Sequence, residues 1–150
     1  MTAMTARTLT GREYPEKPWP APGTTQISDP LPPIPAQLAP VVTKLHELLG
    51  LKEGWNSYGA RRIDPGAVVA ALRLLAQANW LGPFPNVSPT PRGGVELEWG
   101  GDEDGVEIEC RPDGSVIVLV DVHGQMREWA VAGLDDPKLT EAFIWADKLA

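Results

Sequence analysis

Residues 95–110 read Val-Glu-Leu-Glu-Trp-Gly-Gly-Asp-Glu-Asp-Gly-Val-Glu-Ile-Glu-Cys, and this run constrains the fold more than any other in the chain. Val95, Leu97 and Trp99 alternate with Glu96 and Glu98, and Val106, Ile108 and Cys110 alternate with Glu107 and Glu109. A period of two places successive side chains on opposite faces of a strand. Two such strands joined by an acidic, glycine-rich loop form a hairpin. A loop centred near residues 102 and 103 sets Glu98 opposite Glu107 and Glu96 opposite Glu109. A slip of one residue would drive carboxylates into the core, which their desolvation forbids.

The same parity carries on downstream. A three-residue loop, Pro112-Asp113-Gly114, puts Val116, Val118 and Val120 on the apolar side, and Asp-Gly is a strong turn signal. A two-residue turn at His123-Gly124 adds Trp129 and Val131 to that side. Strands are expected over 95–99, 105–111, 115–122 and 125–131, with a short extended segment in 86–94 before them. The opposite face then carries Glu96, Glu98, Glu107, Glu109, Ile117, Leu119, Met126 and Glu128.

Before Pro85 the period is helical. Leu38, Val41, Val42, Leu45, Leu48 and Leu49 recur at intervals of three and four, with Pro40 in the first turn and Gly50 or Gly54 as the stop. His46 lies beside that stripe as a boundary residue. A second helix starts at the Asp64 cap with Pro65 in its first position. It buries Val68, Val69, Leu72, Leu75 and Trp80, and stops at Gly82 and Pro83. A third follows Asp135 or Asp136 and Pro137, with Leu139, Phe143, Ile144 and Leu149 as its stripe. The fold class is therefore α+β: two helices, a four- to five-stranded antiparallel meander and a closing helix, with the helices on one sheet face.

Residues 1–36 are different. They hold eight of the sixteen prolines, a composition that suits neither helix nor central strand. They read as a Pro-rich extended or disordered arm, with Trp19 as an apolar anchor for a partner or for a neighbouring copy, and residues 37–150 as one domain.

Net charge and the scarce metal-binding residue types narrow the chemistry. A formal charge of -7 disfavours direct binding to nucleic acid or to an anionic membrane. A single cysteine, Cys110, precludes an internal disulfide, and with only His46 and His123 beside it no zinc framework is spelled out. No secretory or membrane-spanning segment is recognised, so the expected location is the cytoplasm. No phosphate-binding glycine pattern or nucleophile elbow appears, and neither catalytic residues nor a cofactor are assigned.

The carboxylate face admits three readings. It could be a solvated face that pairs internally with Arg61, Arg62 and Arg92. It could meet a partner with an apolar knob ringed by Lys or Arg, for which Ile117 and Leu119 would supply the apolar floor. It could hold a hard cation, although a flat sheet face rarely converges enough oxygen ligands.

Three stretches, "LKEGWNSYGARRI", "VSPTPRGGVELEW" and "VEIECRPDGSV", keep their order within residues 51–118. In this they resemble a set of small bacterial and phage-related proteins sharing a Gly-Trp-x-x-Tyr-Gly-Ala loop, a Pro-Thr-Pro-x-Gly-Gly strand entry and a Pro-Asp-Gly hairpin. This chain departs from that pattern at Asn56, Ser57 and Cys110. The resemblance implies a bacterial or phage cytoplasmic protein and transfers no catalytic residues. It prompts the expectation that Trp55, Tyr58, Trp99 and Trp129 form one aromatic cluster, with a ligand pocket walled by Trp55, Tyr58 and Arg92 as an alternative.

The leading expectation is a non-enzymatic interaction protein of inhibitor, antitoxin-like or phage accessory type. It would use Glu96, Glu98, Glu107, Glu109, Ile117 and Leu119 together with Trp19 of the arm. A carboxylate-dependent metal-binding hydrolase or nuclease and an acidic nucleic-acid mimic are the alternatives.

Overall fold

The computed structural model describes residues 33–78, 80, 82–133 and 135–149, with the backbone of 6–9 and 12–15. Trp19 and most of the expected arm lie outside the described residues. Within the arm, β1 (Ala6–Leu9) and β2 (Arg12–Pro15) pair antiparallel, and β2 lies close to the last strand of the main sheet.

A 3-10 turn, Ala36–Leu38, leads into α1 (Ala39–Leu48), whose Pro40 occupies the first turn as its sequence requires. Val41, Leu45 and Leu48 face inward, and the helix stops at Leu49 and Gly50. In α2 (Pro65–Gln77), Asp64 caps the start by accepting from the Gly66 amide at 2.7 Å. This helix ends earlier than the Gly82-Pro83 stop expected from the sequence. Beyond it, the Trp80 indole donates to the Pro83 carbonyl at 2.8 Å. Val68 and Leu75 are buried as expected, whereas Val69 and Leu72 are only partly so. Small alanines at 67, 70 and 71 allow α2 to sit close to the sheet.

The sheet is a five-stranded antiparallel meander in the order β3 (Asn86–Pro89), β4 (Val95–Gly100), β5 (Gly105–Cys110), β6 (Val116–Val122) and β7 (Gln125–Val131). Its register is the one the alternation dictates. Glu98 pairs with Glu107, Glu96 with Glu109, Ile108 with Val118 and Val118 with Trp129. The two-residue turn between β6 and β7 has positive φ at both His123 and Gly124, the backbone twist that a tight hairpin needs.

In α3 (Pro137–Lys148) the Asp136 carboxylate caps the Lys138 amide at 2.9 Å. Leu139, Ala142, Phe143 and Ala146 are buried. Ile144, assigned to that stripe from the sequence, is instead 52% exposed. It lies one residue past Phe143, about 100° further round the helix, and so points away from the sheet.

All three helices share one core with Val95, Leu97, Trp99, Val106, Ile108, Cys110, Val116, Val118 and Val120. The opposite side of β4–β6 carries no helix among the described residues. No helix among them is long and apolar enough to cross a membrane.

Candidate functional site on the open sheet face

β4 and β5 put four glutamates on the open face because their partners in the alternation are needed in the core. The burial of both strands alternates residue by residue, and the glutamates are half-buried. The register sets Glu96 against Glu109 and Glu98 against Glu107. Carboxylate oxygens of Glu96, Glu98 and Glu107 lie within 4.8 Å of one another. Three carboxylates thus converge here, fewer oxygen ligands than a hard cation such as calcium takes. Directly opposed residues have closely spaced Cβ atoms, and the long glutamate side chains can bridge the remaining gap.

The electrostatic consequence falls on two of the four. Burial, reinforced by Glu107, Glu98 and Glu109, raises the Glu96 carboxyl above its ordinary value. Burial also raises Glu107, helped by the charge of Glu98, a hydrogen bond with Glu98, and then Glu109 and Asp121. A hydrogen bond between two carboxyls needs a proton between them, so Glu107 keeps its proton more readily than an isolated glutamate does.

Among the described residues, Arg111 brings a cation to this face. Its Nε donates to Glu109 Oε1 at 3.0 Å, with both side chains partly buried. Arg61, Arg62 and Arg92, the pairing partners considered from the sequence, stand exposed at the end of the sheet.

Ile117 and Leu119 lie across the strand pairing from Glu109 and Glu107. Together with Glu96, Glu107, Glu109, Arg111 and Glu128 they line a shallow cleft of about 130 Å³. Ile117 is only 5% exposed although it lies on the face that carries no helix among the described residues. The cleft therefore has an apolar floor and carboxylate walls, with Arg111 at one end.

The aromatic cluster expected from Trp55, Tyr58, Trp99 and Trp129 is not formed. Tyr58 is 91% exposed, so it neither joins a cluster nor walls an enclosed pocket with Trp55 and Arg92. The Trp55 indole donates to the Arg61 carbonyl at 2.9 Å. The cluster that does form is Trp80, Trp99 and Phe143, with ring centroids 5.2 to 6.0 Å apart. The Trp80 and Trp99 indoles both donate to the Pro83 carbonyl. Sequence reasoning assigned Trp80 and Phe143 to the core but not to each other, since no local period links residues so far apart.

A second cleft, about 500 Å³, runs beside α3 and is lined by Ala78, Trp80, Thr140, Phe143, Ile144, Asp147 and Lys148. It lies among the helices, apart from the glutamates.

The fold and face thus define an α+β domain with helices on one side of a meander and an acidic, apolar-floored surface on the other. Comparison with protein-family models, curated proteins and solved structures found no match in any of the three.

Proposed function

We propose that this chain is a protein-interaction module acting in the cytoplasm, and that the open face of β4–β6 is its working surface. The observation that carries the reading is the cleft over Ile117 and Leu119, bounded by Glu96, Glu107, Glu109 and Glu128. A face meant only to stay wet has no use for an apolar floor. A partner that inserts an apolar or aromatic side chain flanked by Lys or Arg satisfies the floor and the walls at once. Such a cation group would also offset the neighbouring glutamate charges that add to burial in raising Glu96 and Glu107.

Tagged full-length protein and its Glu98→Lys/Glu107→Lys variant, captured in parallel from a bacterial lysate at low and high salt, test the reading. The expected result is a partner retained by the wild type, weakened by salt and absent from the variant. A partner held equally by both proteins would refute the assignment to this face.

A second reading has one specific observation behind it. The close approach of the Glu96, Glu98 and Glu107 oxygens suits a divalent cation. It would stand on a rise in melting temperature with Mg²⁺, Mn²⁺ or Ca²⁺ that Glu98→Gln abolishes. No rise with any of the three removes it.

A further inference from the structure

The loop between α1 and α2 is built more firmly than a connector needs to be. The Gly54 amide donates to the Ala60 carbonyl at 2.6 Å, closing the loop's neck. Asn56 Oδ1 accepts from the amides of Tyr58 at 2.8 Å and Ala60 at 3.1 Å. Glu53 Oε2 accepts from the Arg62 amide at 2.9 Å. The Arg61 and Asp64 amides donate to the carbonyls of Pro91 and Gly93, tying the loop to the β3–β4 turn. At its tip Ser57 adopts φ of 65°, a left-handed conformation that a serine rarely takes. These bonds hold Tyr58, the most exposed of the large apolar side chains among the described residues, out in solvent.

An aromatic side chain presented on a braced backbone spares binding the cost of ordering the loop, a property that suits an interface anchor. On the same loop and the turn to which it is tied, exposed cations outnumber the one exposed carboxylate, Glu53. Lys52, Arg61 and Arg62 on the loop, and Arg92 on the turn to which the loop is tied, are all exposed. The chain therefore carries an aromatic knob on a loop with exposed cations as well as a carboxylate-walled cleft with an apolar floor. Each is the chemical complement of the other.

We infer that the open sheet face of one molecule receives the Tyr58 loop of a second copy of this chain. This rests on the reading of the face given above and names its partner. The phenol ring lies over Ile117 and Leu119, its hydroxyl donates to a carboxylate of the wall, and Arg61, Arg62 and Arg92 meet Glu96, Glu98 and Glu107. Knob and cleft are different patches, so the contact is heterologous and propagates head to tail into a ring or an open chain. The net charge of -7 opposes the approach of two copies, but at physiological ionic strength that repulsion is screened beyond roughly 8 Å while the local contacts are not. A single-stranded nucleic acid would also use an aromatic ring and cations, but its extended backbone asks for a continuous basic track, and the net charge of -7 disfavours one.

Sedimentation velocity of the full chain over a wide concentration range is the test. The wild type is expected to gain mass with concentration. Tyr58→Ala, Arg61→Glu/Arg62→Glu and Glu98→Lys/Glu107→Lys are each expected to weaken association roughly tenfold or more, the loss of one interface anchor. Circular dichroism checks that each variant is folded, and the exposed Tyr58 position guards against a folding defect. Mixing the Tyr58→Ala protein, whose face is intact, with the Glu98→Lys/Glu107→Lys protein, whose loop is intact, should give a one-to-one complex that grows no further.

A wild type that stays monomeric throughout overturns the inference, as does association that survives the loop variants. Tyr58-dependent binding of a labelled single-stranded oligonucleotide by a monomeric wild type assigns the loop to nucleic acid and also overturns it. If the face variant still abolishes capture of a foreign partner, only the self-association falls. If it alters neither self-association nor capture, the reading of the face falls as well.

Discussion

Replacing Glu107 by glutamine should stabilise the protein at neutral pH. Glu107 faces Glu98 directly across the β4–β5 ladder, and Glu109 and Asp121 add to its unfavourable field. Its folded carboxyl lies above the ordinary value of 4.5, chiefly through burial. The folded chain therefore keeps a proton there at pH values where the unfolded chain has released it. Stability then falls as pH rises from about 4.5 up through the raised folded value. Glutamine keeps the side-chain length, removes the charge and can still donate a hydrogen bond to Glu98. Removing one member of an opposed like-charge pair gains about 0.2–1 kcal/mol. For a domain of this size that is a rise of about 1–4 °C in melting temperature. Thermal melts of wild type and Glu107→Gln across the acid-to-neutral range read it directly. The gain should be full at neutral pH and shrink as pH falls towards 4.5, where the wild-type carboxyl takes up its own proton. No gain at neutral pH, or a gain that is the same at both ends of the range, would refute the reasoning.

Three further outcomes follow from the packing. Ile108→Ala, at a fully buried position in the middle of the sheet, should cost about 2–5 kcal/mol in urea unfolding. Gly93 has φ of 92°, and a Cβ there would come 2.8 Å from the Arg62 carbonyl, so Gly93→Ala should lose about 1–3 kcal/mol in the same assay. The fully buried Cys110 thiol is pushed up to about 12 by burial and then by Glu109, so alkylation under native conditions should proceed only as fast as the protein opens.

Much of the architecture was legible because the chain alternates so strictly. With carboxylates at every second position of β4 and β5, only one register keeps charge out of the core. The loop lengths at 112–114 and 123–124 then propagated that register to β7. Helix starts were equally plain, since Asp64-Pro65 and Asp136-Pro137 are local devices. The failures have a different origin. The resemblance groups Tyr58 with the tryptophans, but the hydrogen bonds that hold it outward depend on Asn56 and on neighbours brought near only by the fold. Ile144 was placed in the α3 stripe by its hydrophobicity, while the helix phase set by Leu139, Ala142 and Phe143 turned it out. Arg73 lies buried on α2 among apolar residues, a placement that no periodicity in the sequence signals. At the face itself, the sequence identified which glutamates share a side, but not how closely three of their carboxylates converge. That convergence depends on rotamers and sheet twist.

The central claim is that the face over Leu119 is where this molecule meets its partner. A photo-crosslinking phenylalanine analogue at position 119, with the same analogue at the exposed Ile144 of α3 as the control, tests this in living cells. The account predicts covalent adducts from position 119 that disappear when Glu98 and Glu107 are changed to lysine, and few from position 144. Adducts from position 144 with none from position 119 would contradict it.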